Sequence, residues 1–206
     1  MKISLDNIGK KFRRDWIFRR ITTEIGPGQR WSVLGPNGSG KSTLLRVLSG
    51  HLTPSKGSII FHTGGKNLDK GAVYQHVSIA APYMELIEEF SLAELVAFHH
   101  RFKPFIAGMG PDSVVDLLQF RSFVAQQQIR EFSSGMKQRV KLALALCSDA
   151  RLILLDEPTT NLDRQGVEWY LDLITRFAGD RSLIVASNVP EDYQFCTHSL
   201  DIRNYK

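Results

Sequence analysis

The sequence predicts an α/β fold built around a mostly parallel sheet, and three observations lead there. Short apolar runs with strand character, "RWSVLG", "RLILLD" and "SLIVAS", are separated by longer stretches with helical spacing. A glycine-rich turn, "GPNGSGKST", stands between the first of these strands and a helix. Two acids, Asp156 and Glu157, close the second strand. Strands that are apolar throughout are buried on both faces, and their alternation with helices is the pattern of a parallel sheet covered on two sides.

At 206 residues and 43% hydrophobic content, the chain is long enough for one well-buried core with a small appended lobe. "ISLDNI" alternates as a strand, and "RWSVLG" reads as a buried strand that delivers the chain to Gly35. From Lys41, "KSTLLRVLSG" has helical spacing and stops at Gly50. "GSIIF" and "HVSIA" are short strand candidates. In "SLAELVAFHHRF", Glu94 follows Ser91 by three residues, the spacing of a capping box. "GPDSVVDLLQF" sets a proline in a first helical turn, so residues 85–131 read as a helical insert. Beyond it come a helix in "MKQRVKLALALCSDA", the strand "RLILLDEP", an amphipathic helix in "RQGVEWYLDLITRFAG" and the buried strand "SLIVAS". The whole reads as a single domain over 1–206, with a core from 1–84 and 132–206.

No apolar run reaches the roughly 18 residues that span a bilayer, and "MKISLDNIGKKF" lacks the apolar stretch of a secretory signal. Two cysteines, Cys147 and Cys196, show no metal-ligand spacing. These features predict a soluble protein of a reducing cytoplasm. The net charge of +5 is modest, and its densest cluster, Arg13, Arg14, Arg19 and Arg20, suits a solvated hairpin face. No nucleic-acid partner is expected.

Gly35-Pro36-Asn37-Gly38-Ser39-Gly40-Lys41-Ser42 matches G-x-x-x-x-G-K-[S/T], the phosphate-binding loop. Its glycines let successive backbone N–H groups turn inward around phosphate oxygens, and the helix that follows adds its positive end. Lys41 would bridge the β- and γ-phosphates, the Ser42 hydroxyl would ligate magnesium, and Thr43 would support it. A carboxylate at the carboxyl end of a parallel strand beside the phosphate loop can hold magnesium, usually through water, which assigns Asp156. Glu157 beside it would polarise an attacking water. A nucleotide with magnesium is therefore expected, and the family resemblance below implies ATP.

With "GPNGSGKST", "FSSGMKQRV" and "LILLDEPTTNLD" in this order, the sequence resembles the ATP-binding cassette (ABC) family, and specifically its nucleotide-binding subunits. The resemblance covers about residues 2–203. It implies a P-loop NTPase core with an N-terminal antiparallel β portion and an inserted helical subdomain. Ser133 and Gly135 match the family's LSGGQ signature, whereas Phe132, Ser134 and Met136 depart from it. In the family this signature closes over a nucleotide held by another subunit's phosphate loop, so ATP is sandwiched twice in a head-to-tail dimer. Ser133, Ser134 and Gly135 are accordingly expected at the partner's nucleotide. Asp163 in "NLD" resembles the D-loop that touches the partner subunit. Phe12 stands where the family stacks an aromatic ring on adenine; Trp16 is a second candidate for that role or a hairpin core residue.

Two departures from the family bear on turnover. Ala81 stands where a water- and magnesium-coordinating glutamine is usual, and Gln75 precedes the strand. In "LIVASNVPED", where the family reads "THDLEE", the γ-phosphate histidine is replaced by Asn188, or by Ser187 on the alternative count from Cys196. His198 falls in the next segment and reads as structural. The resemblance implies an ATPase, slowed by these losses, that powers a transporter from the cytoplasmic face of a membrane. Its partners would be a second ABC subunit, identical or not, and a separate transmembrane permease received near "PYMELIEEF". The alternatives are an ATP-gated dimerising module uncoupled from transport and a weakly hydrolysing half of an asymmetric pair. A guanine-reading N-K-x-D motif is absent.

Overall fold

The computed structural model describes all 206 residues. An N-terminal hairpin pairs β1 (Lys2–Phe12) with β2 (Asp15–Ile25), and β3 (Arg30–Leu34) leads through the glycine turn into α1 (Lys41–Leu48). β4 (Lys56–Thr63) returns beside β1 and is followed by the two-residue β5 (Lys66–Asn67), α2 (Val73–His76) and β6 (Val77–Ala80). The helix-rich middle holds α3 (Leu92–Phe102), α4 (Pro111–Leu117) and α5 (Ser134–Cys147). β7 (Leu152–Asp156), α6 (Arg164–Phe177), β8 (Ser182–Ala186), α7 (Pro190–Tyr193) and β9 (His198–Asp201) complete the order. No helix is long and apolar enough to cross a membrane.

The chain packs as two units. The first comprises 1–79, 150–157 and 179–206, and the second 80–149 and 158–178. The stretch 85–131 lies wholly within the second unit, together with α5 and α6.

In the first unit, an antiparallel sheet of order β2-β1-β4-β5 accompanies a five-stranded sheet of order β6-β7-β8-β3-β9. The alternation that begins in β1 buries Ile3 and Leu5, then skips to Ile8. A bulge causes the skip: Leu5 pairs with Thr23 and Ile8 with Ile21, so β1 advances three residues while β2 advances two. Asn7 takes the extra position at φ 48°, and its N–H donates to Thr22 Oγ1 at 2.9 Å. Phe18, Ile8 and Ile21 are thereby fully buried, each removing apolar surface worth about 2 kcal/mol. The second sheet is parallel where it matters for the site. β7 pairs with β8, and β3 pairs with β8 on one edge and β9 on the other. β7 and β8 are buried at every residue, as apolar runs in a covered parallel sheet must be.

The second unit is helical. Ser91 caps α3 with the reciprocal Glu94 bond that the sequence spacing predicts. α5 buries an unbroken run at 142–147, and α6 turns Trp169, Tyr170, Leu173 and Ile174 inward. Trp169 Nε1 donates to the Leu117 carbonyl at 2.9 Å. The Arg139 guanidinium lies 4.5 Å from the Trp169 ring and 5.3 Å from the Phe120 ring, a cation held between two π faces.

His99 is the titratable group most altered by this packing. Its ring stacks 5.6 Å from Phe105, and Nε2 lies 2.9 Å from Ser148 Oγ. The Ser148 hydroxyl already donates to the Leu144 carbonyl at 2.6 Å, so toward His99 it accepts and the Nε2 nitrogen carries the proton. Burial first, then the charges of Lys103 and His100, pushes the ring's pKa down to about 4. The unfolded chain therefore binds a proton between about pH 6.5 and pH 4 that the native state refuses, and stability falls as pH falls through that window. Chemical denaturation at pH 7 and pH 5 is expected to show a loss of about 2 kcal/mol from this group, and His99→Gln removes that part of the slope.

Candidate nucleotide site

The phosphate-loop sequence folds as a turn between β3 and α1. Gly35, Gly38 and Gly40 all have positive φ, at 142°, 74° and 107°. At Gly40 the need for glycine is also steric, since a Cβ would lie 2.4 Å from Ile17 Cγ2. Gly40 is the N-cap of α1 and offers no side-chain cap, so the first-turn N–H groups are not claimed by a cap side chain. Pro36, Asn37 and Gly38 are exposed at the crest, whereas Ser39 and Lys41 are buried. Lys41 Nζ turns into the loop and donates to the Gly35 carbonyl at 2.8 Å and the Pro36 carbonyl at 3.3 Å. Ser42 and Thr43, half-buried, follow in the first turn of α1.

β7 ends on Asp156, 1% exposed, with neither carboxylate oxygen in a hydrogen bond. Burial pushes its pKa up and Glu157 adds to the rise, against the lowering pull of Ser42, Lys41 and Arg46. A buried carboxylate with no hydrogen-bond partner, the Ser42 hydroxyl beside it and Lys41 turned to the loop carbonyls instead fits a hard divalent cation that prefers oxygen ligands. Ser42 and Asp156 would be its protein ligands, and no cluster of three or more His, Cys, Asp or Glu side chains forms a self-contained metal site. The remaining ligands would be phosphate oxygens and water, as is usual for magnesium.

Glu157 leaves the line of the strand. Its φ is 46°, a left-handed conformation that costs a non-glycine residue about 1 kcal/mol, while its N–H extends the ladder to the Ala186 carbonyl at 2.8 Å. The side chain is consequently half-exposed while that of Asp156 is enclosed.

The end of β8 separates the two residues that sequence counting leaves open. Ser187 is fully buried, donates to Asp192 and accepts from the Val189 N–H at 2.9 Å. Asn188 is exposed, and its Nδ2 donates to Asn37 Oδ1 in the phosphate loop at 3.0 Å. Asn188 is therefore the one that reaches the loop. Near the hairpin turn, Phe12 is 48% exposed with Lys10 Nζ 5.3 Å from its ring centre. Trp16 is half-buried and covers Gly9, where a Cβ would meet its ring at 2.8 Å.

The remaining sequence candidates belong to the helical unit. Ser133 caps α5, its Oγ accepting from the Met136 N–H at 3.2 Å, and Ser134 opens the helix exposed. Phe132, in place of the family's leucine, is buried edge-on to Phe120 at 5.9 Å. Gly135 is fixed by close approach, because a Cβ would lie 2.8 Å from the Asn161 carbonyl. Asn161 has φ 66°, and Asp163 caps α6 by accepting from the Gly166 N–H at 2.7 Å. Ala81 is fully buried after β6. A cleft of about 540 Å³ in this unit is lined by Met84, Leu86 and Ile87 with Glu85, Glu88 and Lys137 at its polar side.

Sequence reasoning passed over the hydrophobic floor of the loop. Ile17 and Ile202 stand behind Gly40, with Ile202 Cδ1 3.5 Å from a Cβ built there, and nothing local in their sequence marks that role.

The family model described as ABC transporter matches residues 18–160. The chain is 29% identical over 202 residues to the Nod factor export ATP-binding protein I of Cupriavidus metallidurans, covering 95% of this chain and 66% of that protein. It is 28% identical over 190 residues to the lantibiotic transport ATP-binding protein SrtF of Streptococcus pyogenes, covering 90% and 79%. With the sulfate/thiosulfate import ATP-binding protein CysA of Yersinia pseudotuberculosis it shares 34% over 175 residues, or 80% of this chain and 47% of the relative. Among solved structures, a putative ABC transporter ATP-binding protein from Pyrococcus furiosus superposes over the full length of both chains with a TM-score of 0.82 at 22% identity. An ATP-binding cassette solved as a dimer in a post-hydrolysis state with ADP and phosphate gives 0.82 at 21% identity, covering 97% of this chain and 94% of the other. At those identities the superpositions establish a common fold. The matched stretch takes in the glycine turn, the helix-capping serine and the strand-end acids together, and the chain belongs to the ABC transporter family as a nucleotide-binding domain.

Proposed function

We propose that this chain is the ATP-binding and ATP-hydrolysing subunit of a membrane transporter, working as a head-to-tail dimer on the cytoplasmic side of a permease. The observation that carries the reading is the pairing of a lysine turned into a glycine-rich loop with a buried carboxylate lacking a hydrogen-bond partner at the end of β7, one strand away from β3 across β8. That arrangement suits a polyphosphate with a divalent cation.

Loop N–H groups and Lys41 bind the β- and γ-phosphates, and Lys41 exchanges two neutral carbonyls for an anion. Phe12 stacks on the adenine ring from its exposed site. Ser42 and Asp156 would hold a magnesium ion, which would supply charge neutralisation at the phosphate oxygens. Glu157 takes the proton of the attacking water, and its half-exposed position lets it reach one. Asn188 donates a hydrogen bond to the γ-phosphate in place of its bond to Asn37. Ser133, Ser134, Gly135 and Asp163 serve the partner subunit's nucleotide. Within one chain the helix heads at Gly40 and Ser133 belong to different units, in keeping with two grips on two ATP molecules.

Among the relatives, some are named for export and others for import. Ala81 and Asn188 favour one refinement, in which this chain is the slower half of an asymmetric pair. An amide cannot take up a proton, and an alanine can hold neither water nor metal. Losing one preorganised polar group at a transition state costs roughly 100- to 1,000-fold in rate.

Three outcomes follow for the purified chain and its complex. ATP hydrolysis should require magnesium and stop on its removal by EDTA, and Lys41→Ala or Glu157→Gln should lower kcat by at least about 100-fold. Glu157→Gln should still bind ATP; if it hydrolyses normally, the assignment of the base is wrong. The pH profile of kcat should lack a limb near pH 6.5 attributable to a phosphate-facing histidine, and Asn188→His should introduce one. Finally, Glu157→Gln trapped with ATP and magnesium should co-purify a polytopic membrane protein, and the pair Leu86→Asp with Ile87→Asp should abolish that recovery without changing ATP affinity. Recovery of an ATP-dependent dimer alone would favour the regulatory module.

A further inference from the structure

The segment Ile202–Tyr205 follows β9 as a 3-10 turn capped by Asp201, and it runs behind the phosphate loop. Ile202 is fully buried, and its Cγ2 lies 2.8 Å from where a Cβ at Gly35 would stand. Tyr205 packs on the same core. The next residue, Lys206, reaches back into the loop across 167 residues of sequence, and its Nζ donates to the Ser39 carbonyl at 2.7 Å. The same ammonium donates to the Ile17 carbonyl at 3.0 Å, and the Lys206 carbonyl accepts from Arg19 Nε at 2.9 Å. The lysine is thus tethered at both ends, which limits the rotamer freedom it would otherwise lose on binding the loop.

The Ser39 carbonyl belongs to the peptide group that precedes Gly40. A trans peptide is planar, with its C=O and N–H pointing in opposite directions. Drawing the carbonyl toward Lys206 therefore turns the Gly40 N–H the other way, toward the inside of the loop. Gly40 lacks a Cβ and sits at φ 107°, so a flip of this peptide meets little steric resistance from the residue itself. A flipped peptide would present an oxygen to an anion where a donor is needed. A cation on the carbonyl opposes that flip at the place where the chain resists it least.

We propose that Lys206 is a positioning residue for nucleotide binding. It holds the 39–40 peptide with its N–H toward the phosphates, and so acts as a second cation of the loop beside Lys41, from the outer side. The inference rests on the nucleotide reading of the loop, and the test separates the two. ATP and ADP affinity, KM and kcat are measured for the wild-type chain, Lys206→Met and Lys206→Arg, with the thermal midpoint as a check on folding. Lys206→Met should raise Kd for both nucleotides, and KM, by about fivefold, with kcat within about twofold and an unchanged midpoint. Lys206→Arg, which keeps charged donors, should return KM to near the wild-type value. Wild-type affinity in Lys206→Met, a fall in kcat with KM unmoved, or a Lys206→Arg variant that behaves like Lys206→Met overturns the positioning role and leaves the nucleotide reading intact. A wild-type chain that binds neither ATP nor ADP overturns both.

Discussion

In-register parallel pairing across β7, β8, β3 and β9 is the constraint from which the rest of the nucleotide-binding unit follows. It sets Asp156, Ala186, Val33 and Leu200 on one line across the sheet. Gly35, Glu157, Ser187, Asn188 and Ile202 all leave the sheet within two residues of that line. Side chains alternate between faces, so a slip of one residue in any of these strands would turn its whole pattern over and carry Asp156 away from Ser42. Full burial of β7 and β8 prevents the slip, because it would expose no better set of side chains and would break the ladder on both edges. Catalytic geometry here is a by-product of packing a covered sheet.

The electrostatics of the same line are left deliberately unbalanced. Asp156 is enclosed without a hydrogen bond, while Lys41 is bonded to carbonyls rather than to it. Keeping opposite charges near but unpaired is unfavourable in a buried setting, and it leaves both groups available to a ligand that carries charge of both signs. The neighbouring polar residues are treated differently. Ser187 is spent on Asp192 and Val189, so the role of reaching the phosphate loop passes to Asn188.

Much of this was legible in the sequence because local rules decided it. The Ser91 capping box, the proline that opens α4, the glycine turn and the acid-terminated apolar strand are each written within a few consecutive residues. What was not legible depends on pairs far apart in the chain. Asn37 and Asn188 meet across 151 residues, and no spacing rule distinguishes Asn188 from Ser187 until burial is known. β9 is short and mostly exposed, too weak a pattern to read as a strand of the central sheet. The bulge at Asn7 leaves only a faint trace in "ISLDNI", the adjacent polar pair Asp6 and Asn7 between Leu5 and Ile8, which a local pattern rule passes over as one alternating strand. The aromatics at the hairpin divide in the same way: Trp16 is held over Gly9, whereas Phe12 stays half exposed with Lys10 beside its ring.

The left-handed backbone at Glu157 has an evolutionary corollary. At φ 46° the residue that best suits the conformation is glycine, followed by asparagine, and a glutamate is among the poorer choices. Selection for folding alone would erode the carboxylate at this position, since replacement relieves strain and removes a charge beside the buried Asp156. On its proposed role as the base, its presence marks a trade in which stability yields to chemistry. A laboratory lineage bred only for thermostability would be drawn toward glycine at 157 and, on the proposed role of this carboxylate, would arrive at a sturdier protein that grips its nucleotide and no longer turns it over.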